Sequence, residues 1–354
     1  MRRVAIFLAT VAVVLGGIGA LDWWIDPFLD RYDPAPLAAA LAQPRPCFVG
    51  WDVFSARAWP ELKVDYFRRR DARIVVVGTS RAGKIGARPG ERRFANLILP
   101  GTGPETLAPL FQRLHALGHG PLTVYLSVEA FWFGEGWRTQ THFTRSYLRD
   151  AKYLLSTQTL HATFDELRRT PGTIRHPRAL RPWGIYRRRG LCVVSRGDTV
   201  LAGAGNAWAP DGELWYNDEV TGAPRPHGQP IAQLEHGGYV GRRLDPGRLN
   251  ALGHALAIAQ SYGWRVVGAS LPYSDYWRLK LARDGETRAV VAAFGRELPG
   301  MFARYGFRFL DLTDVHSVPC GAHSFSRFDG GHPDVACGRK IRRLLDAAAK
   351  AGPP

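Results

Sequence analysis

Arg73-Ile74-Val75-Val76-Val77-Gly78-Thr79-Ser80-Arg81 is the stretch on which the fold turns. Four consecutive apolar β-formers, Ile74 to Val77, predict a strand buried on both faces, as in a parallel sheet. Gly78 ends it, because a glycine lets the backbone turn sharply. Thr79 and Ser80 then stand at the carboxyl end of a central strand, where open α/β sheets place their ligands. A serine presented there is a nucleophile if a base reaches it, and otherwise a cap for the next helix.

Outward from this stretch, Leu122–Val128, Arg265–Ala269 and Arg308–Leu312 read as further strands. Thr106–Leu117, Asp245–Tyr262 and Val335–Ala349 read as helices, and so does Glu286–Tyr305 with an interruption near Pro299-Gly300. Strands alternating with helices predict a parallel sheet with helices on both faces.

Near the C-terminus lies Phe328-Asp329-Gly330-Gly331-His332-Pro333. A carboxylate three residues before a histidine suits the place behind the imidazole, where it fixes the tautomer and stabilises the imidazolium. The two glycines allow a tight loop, and Pro333 suits the first turn of the last helix. An ordinary glycine-rich turn is the other reading of these six residues.

Gly-Thr-Ser-Arg after the first strand and Asp-Gly-Gly-His before the last helix together resemble the two ends of an SGNH (GDSL-like) hydrolase. The resemblance covers about residues 70–133 and 262–350. It implies an α/β three-layer sandwich around a central parallel sheet, with Ser80 as nucleophile, His332 as base and Asp329 as orienting acid. It also implies an oxyanion site made by the backbone of Ser80 and by Gly101, which follows Phe94-Ala95-Asn96-Leu97-Ile98-Leu99-Pro100. The family's Gly-x-Asn-Asp block is absent, and Ser127-Val128-Glu129-Ala130-Phe131 occupies its place. That departure resembles the divergent, membrane-anchored branch that O-acetylates envelope polysaccharides, and implies a membrane-bound O-acyltransferase as partner. No cofactor is implied.

A rival motif overlaps the same turn. Gly78-Thr-Ser-Arg-Ala-Gly83-Lys84 matches most of a nucleotide-binding loop, but Ile85 stands where Ser or Thr would hold magnesium.

The N-terminus bears on the compartment. Arg2 and Arg3 precede an uncharged run, Val4 to Leu21, just long enough to cross a bilayer core. Trp23 and Trp24 follow at the level of an aromatic belt, and the basic flank favours a cytoplasmic N-terminus. Residues 1–25 are expected to be a single-pass anchor in the inner (cytoplasmic) membrane, with the rest in the periplasm or outside; a cleaved signal peptide is the alternative. Residues 26–70 are expected to pack irregularly as a juxtamembrane stretch. Residues 71–350 are expected to form the α/β domain, interrupted at about 134–245 by an inserted α+β segment. Within the insertion Tyr147–Leu167 reads as helical, and Asn206-Ala-Trp208 with Glu213-Leu-Trp215-Tyr216 flank a hairpin turn, Pro210-Asp211-Gly212. These aromatics beside arginines suit either an acidic glycan or a small core.

The formal charge of +16 favours a polyanionic surface, and no nucleic-acid module is present, so envelope polysaccharide and anionic lipid are the expected contacts. His227 and His236 lack metal-ligand spacing. Glu129 either lines the cleft or is a satisfied structural carboxylate. Cys320 and Cys337 straddle the Asp329–His332 loop and are positioned for a disulfide in an oxidising compartment; Cys47 and Cys192 are a second possible pair. The chain thus reads as an extracytoplasmic serine esterase or O-acyltransferase, or as a non-catalytic glycan-binding or assembly protein on the same fold.

Overall fold

The structure, a computed structural model, describes residues 2–26, 35–42, 48–50, 58–134, 137, 139, 147–169, 175, 192–193, 207–208, 214–215, 243–283, 285–318, 320–321, 324–325 and 331–352. Nine strands are found among them: β1 (Phe48–Gly50), β2 (Ile74–Val77), β3 (Phe94–Asn96), β4 (Thr123–Ser127), β5 (Cys192–Val193), β6 (Ala207–Trp208), β7 (Leu214–Trp215), β8 (Arg265–Ser270) and β9 (Arg308–Asp311). The central sheet has the order β3-β2-β4-β8-β9, and every pairing in it is parallel. The chain leaves β2 to one side for β3, then crosses back to β4 on the other. The carboxyl ends of β2 and β4 therefore flank a topological switch point.

The helices are α1 (Arg2–Ile25), α2 (Ala35–Leu41), α3 (Ala58–Arg70), α4 (Leu107–Ala116), α5 (Tyr147–Leu154), α6 (Thr157–Arg169), α7 (Pro246–Ser261), α8 (Asp275–Arg283), α9 (Gly285–Arg304) and α10 (Val335–Lys350). Val75, Val76 and Val77 are all buried, as a strand covered on both faces requires. Neighbouring residues of a strand face opposite ways. Tyr125 of β4 donates from its hydroxyl to Asp346 of α10, and the Arg342 guanidinium of the same helix lies over the rings of Phe94 and Tyr125. Leu126, the next residue, pairs with Gly268, against which Phe302 of α9 packs. So α10 covers one face and α9 the other, a helix–sheet–helix arrangement.

A second, antiparallel sheet has the order β5-β1-β6-β7. Its β6–β7 hairpin pairs Ala207 with Trp215 and Trp208 with Leu214, as the turn signal at 210–212 predicts. The stretch before the domain contributes one of its strands, β1.

Two expectations need correction. Residues 58–70 do not pack irregularly: they form α3, with Trp59, Leu62, Tyr66 and Phe67 buried. Those four positions recur on one helical face, and Pro60 falls in the first turn, where its missing N–H costs nothing. Nor does the chain break at Pro299. α9 runs through it, because Leu298, Met301 and Phe302 around the proline are all buried in the core and hold the helix across the lost bond.

Candidate active site

The site grows from the end of β2. Gly78 has φ 144°, a conformation that disfavours any side chain. A β-carbon on it would also stand 2.7 Å from both Cβ and the carbonyl oxygen of Ser127 on β4. The chain then enters a short 3-10 turn, Ser80–Lys84. Thr79 caps that turn, its Oγ1 accepting from the Arg81 N–H at 3.3 Å. Capping thus falls to Thr79, and Ser80 is left with another partner: its Oγ lies 2.8 Å from His332 Nε2. Both residues are partly exposed, so solvent or a ligand reaches them.

Neighbouring elements brace the turn. Asn96 at the end of β3 is fully buried and donates from Nδ2 to the Ala82 and Ile85 carbonyls at 2.9 and 3.1 Å. Its Oδ1 accepts from the Ile98 N–H at 3.1 Å. Gly338 of α10 lies so close that a β-carbon there would collide with the Lys84 carbonyl. The helix that follows His332 is therefore pressed onto the turn that presents Ser80.

His332 is held from several sides. Cys320 and Cys337 form a disulfide across its loop, with Cα atoms 5.2 Å apart. The Asp334 N–H donates to the Ser324 carbonyl at 2.8 Å, and Phe325 bridges to Pro333. Asp334 caps α10, accepting from the Cys337 N–H at 2.7 Å. Pro333 therefore precedes the cap instead of occupying the first turn, because the aspartate side chain satisfies the free N–H groups there.

Arg81 joins the two halves. Its Nε donates to the Gly331 carbonyl, one residue before His332, at 2.8 Å. Its Nη2 donates to the Leu271 and Pro272 carbonyls beyond β8, at 3.1 and 2.7 Å. Its Nη1 pairs with Glu129 beyond β4, and the guanidinium lies 3.7 Å from the centre of the Tyr273 ring. One side chain next to Ser80 thus ties together the loops after β2, β4 and β8 and the loop of His332. A guanidinium suits this task because its fork of donors addresses several acceptors at once. Glu129 resolves as the structural carboxylate: it is buried and also accepts from Ser127 Oγ at 3.0 Å and the Tyr273 hydroxyl at 3.3 Å. Burial holds its carboxyl above the ordinary value, and Arg81 only partly offsets that. The role of Arg81 is not written in the nonapeptide. Its one sequence signal is a charged residue inside a turn that must be buried, with a glutamate at the end of the next strand.

Gly101 lies in the turn after β3 with φ 65°. The Leu99 N–H donates to the Gly78 carbonyl at 2.9 Å, which fastens this segment to the nucleophile turn. Among the described residues, neither the Ser80 nor the Gly101 N–H has a hydrogen-bond acceptor. His332 turns Nε2 to Ser80, so an orienting carboxylate has only Nδ1 to address. Asp329 itself lies outside the described residues, as do Cys47, His227 and His236.

The nucleotide-loop reading fails on geometry. Lys84 is buried in a five-residue 3-10 turn, with no long helix opening behind the glycines to aim its N–H groups at phosphates. Among the described residues there is no group of three or more His, Cys, Asp or Glu side chains that would hold a metal ion.

The fold and site define an α/β protein with a serine–histidine pair at the switch point of a five-stranded parallel sheet. No family model, curated protein or solved structure matches the chain.

Proposed function

We propose that this chain is an SGNH-like serine esterase or O-acyltransferase, anchored in the inner membrane, that acts on an acylated cell-envelope glycan outside it. The observation that carries the reading is the 2.8 Å contact between Ser80 Oγ and His332 Nε2, made across 252 positions of sequence. In the reaction, Ser80 Oγ attacks the ester carbonyl while His332 Nε2 takes its proton. The Ser80 and Gly101 N–H groups, both unclaimed, face the developing oxyanion. His332 then gives the proton to the departing hydroxyl, leaving the acyl group on Ser80. Water or a sugar hydroxyl attacks that ester by the reverse path, giving hydrolysis or transfer. Asp329 sits behind the imidazole in this scheme. In transfer, a membrane-bound O-acyltransferase would supply the acyl group.

Three further features support the setting. α1 is long and apolar enough to span a bilayer. The Cys320–Cys337 disulfide fits an oxidising compartment. The net charge of +16 suits acidic glycan and anionic lipid.

The test is covalent labelling of the full-length protein by a serine-directed fluorophosphonate. Wild type should label, and Ser80→Ala should not, with circular dichroism unchanged. Folded wild type that stays unlabelled would favour the glycan-binding or assembly protein. A C-terminal alkaline phosphatase fusion should be active; an inactive one would refute the placement outside.

A further inference from the structure

The helices of the insertion, α5 and α6, sit against α1, at its C-terminal end. Leu155 Cδ2 and Leu154 Cβ lie 3.5 and 3.9 Å from where a side-chain carbon on Gly19 would stand. Asp22 and Ile25 are buried in this region, and the Tyr153 hydroxyl donates to Asp26 Oδ1 at 3.1 Å. The contact therefore runs from Gly19 to Asp26. Before it, α1 is bare: Val4, Ile6, Phe7, Leu8 and Val13 are each more than half exposed.

Depth follows from helix geometry. At 1.5 Å per residue, the run from Val4 to Leu21 spans about 27 Å, close to the thickness of a hydrocarbon core. Trp23 and Trp24, 45% and 39% exposed, mark the interface just beyond. Gly19 then lies about 3 Å inside the core boundary. The turn between α5 and α6 lies beside it. Two large apolar side chains on this hairpin keep much of their surface open: Phe164 (56% exposed) and Leu155 (45%), whose Cδ2 also touches α1. Lys152 and Arg168 are exposed on the same two helices. A helix pair with apolar side chains at the core boundary and cations beside them has the makings of an interfacial element.

We infer that the α5–α6 hairpin is a second membrane contact: Leu155 and Phe164 enter the outer leaflet next to α1, and Lys152 and Arg168 meet anionic headgroups. The occupant is the bilayer that α1 crosses, because the hairpin is continuous with that span and fixed to it. The inference rests on reading α1 as an anchor, and it is independent of the chemistry at Ser80.

The test uses full-length protein in vesicles of phosphatidylethanolamine and phosphatidylglycerol. The photo-crosslinking residue p-benzoylphenylalanine replaces Leu155, Phe164, Val13 or Leu279 one at a time. Val13, 74% exposed on α1, reports the anchor; Leu279, 51% exposed on α8, reports an apolar side chain away from the hairpin. Phospholipid adducts at 155 and 164, many-fold above those at 279 and approaching those at 13, are expected. Adducts at 13 with yields at 155 and 164 no higher than at 279 would overturn the hairpin contact while the anchor stands. Crosslinks from 155 and 164 to a second protein chain instead of lipid would overturn it in favour of a protein partner. No lipid adduct at 13 would remove the anchor, and the hairpin contact with it. Fluorophosphonate labelling of Ser80 is scored separately, so failure here is distinct from failure of the proposed chemistry.

Discussion

The two edges of the parallel sheet carry the same kinds of charge and use them differently. At the amino-terminal edge, Asp71 precedes β2 and accepts from Arg93 Nη2, before β3, at 3.0 Å. It also lies 3.0 Å from His119 Nδ1, before β4. Both Asp71 and Arg93 are more than half exposed at their side chains. At the carboxyl edge, Arg81 and Glu129 are within 4% of full burial. Water screens the Asp71–Arg93 pair, so either member is replaceable. The second cluster has no water to fall back on. Removing one partner leaves a buried charge uncompensated, at a cost of about 3–5 kcal/mol. The same contrast explains why the carboxyl edge is rigid enough to hold Ser80 and His332 at hydrogen-bond distance. The loops after β2, β4 and β8 and the loop of His332 all answer to one guanidinium.

The sharpest way to break the comparison is at the pair itself. His332→Ala should remove nearly all Ser80-dependent esterase activity on an acetylated chromogenic ester, with the far-ultraviolet circular dichroism unchanged. Full activity in folded His332→Ala protein would leave Ser80 without a base and favour the binding-protein reading.

Asp329→Asn comes next. An amide stabilises the wrong tautomer and offers no charge to the imidazolium, a change that costs about ten-thousandfold in serine proteases. A smaller loss, on the order of a hundredfold or more, is expected here, since backbone carbonyls can also orient an imidazole. Folded Asp329→Asn enzyme with full turnover would take Asp329 out of the mechanism.

Arg81→Lys tests the carboxyl-edge cluster. Lysine keeps the charge opposite Glu129 but presents its donors from one point, so it loses the Gly331 carbonyl or those of Leu271 and Pro272. Misplacing His332 slightly should lower kcat by on the order of tenfold, with KM little changed. Arg81→Met should in addition lower stability by about 3 kcal/mol in urea unfolding. An Arg81→Lys enzyme with wild-type kcat would show that the arginine serves stability alone.

Asp71→Asn is the smallest expected effect and the control for the other edge. His119 and then Arg93 hold the Asp71 carboxyl below its usual range. A carboxyl depressed in the folded state stabilises above the ordinary carboxylate range and loses that contribution as pH falls through its folded value. The Asp71 side chain is 59% exposed and water-screened, so neither the unfolding midpoint at neutral pH nor the activity should move measurably. A clear loss of either would erase the distinction between the edges.

Much of the framework was legible along the chain. Ile74–Val77, Leu122–Val128 and Arg265–Ala269 announce buried parallel strands because a strand covered on both faces has no polar alternation. The Pro210-Asp211-Gly212 turn and the cysteines around the histidine loop are local signals of the same kind. Other features were not legible. Nothing in residues 26–70 advertises α3 strongly, since its buried face is interleaved with Lys63, Arg68, Arg69 and Arg70. Pro299 argues against the helix that in fact crosses it, because burial of its neighbours outweighs one lost hydrogen bond.

At the site, the sequence by itself determined the residue types and their two local settings: a serine just past a buried strand, and a histidine in a glycine-rich loop before a helix. Those are short-range facts, set by strand periodicity and turn chemistry. That Ser80 Oγ and His332 Nε2 stand 2.8 Å apart, that Thr79 and not Ser80 caps the turn, and that Arg81 rather than Glu129 is the hub were decided only by tertiary structure. The physical reason is that a guanidinium's partners are mostly carbonyl oxygens. Every residue has one, so no sequence pattern marks which of them packing will bring within reach.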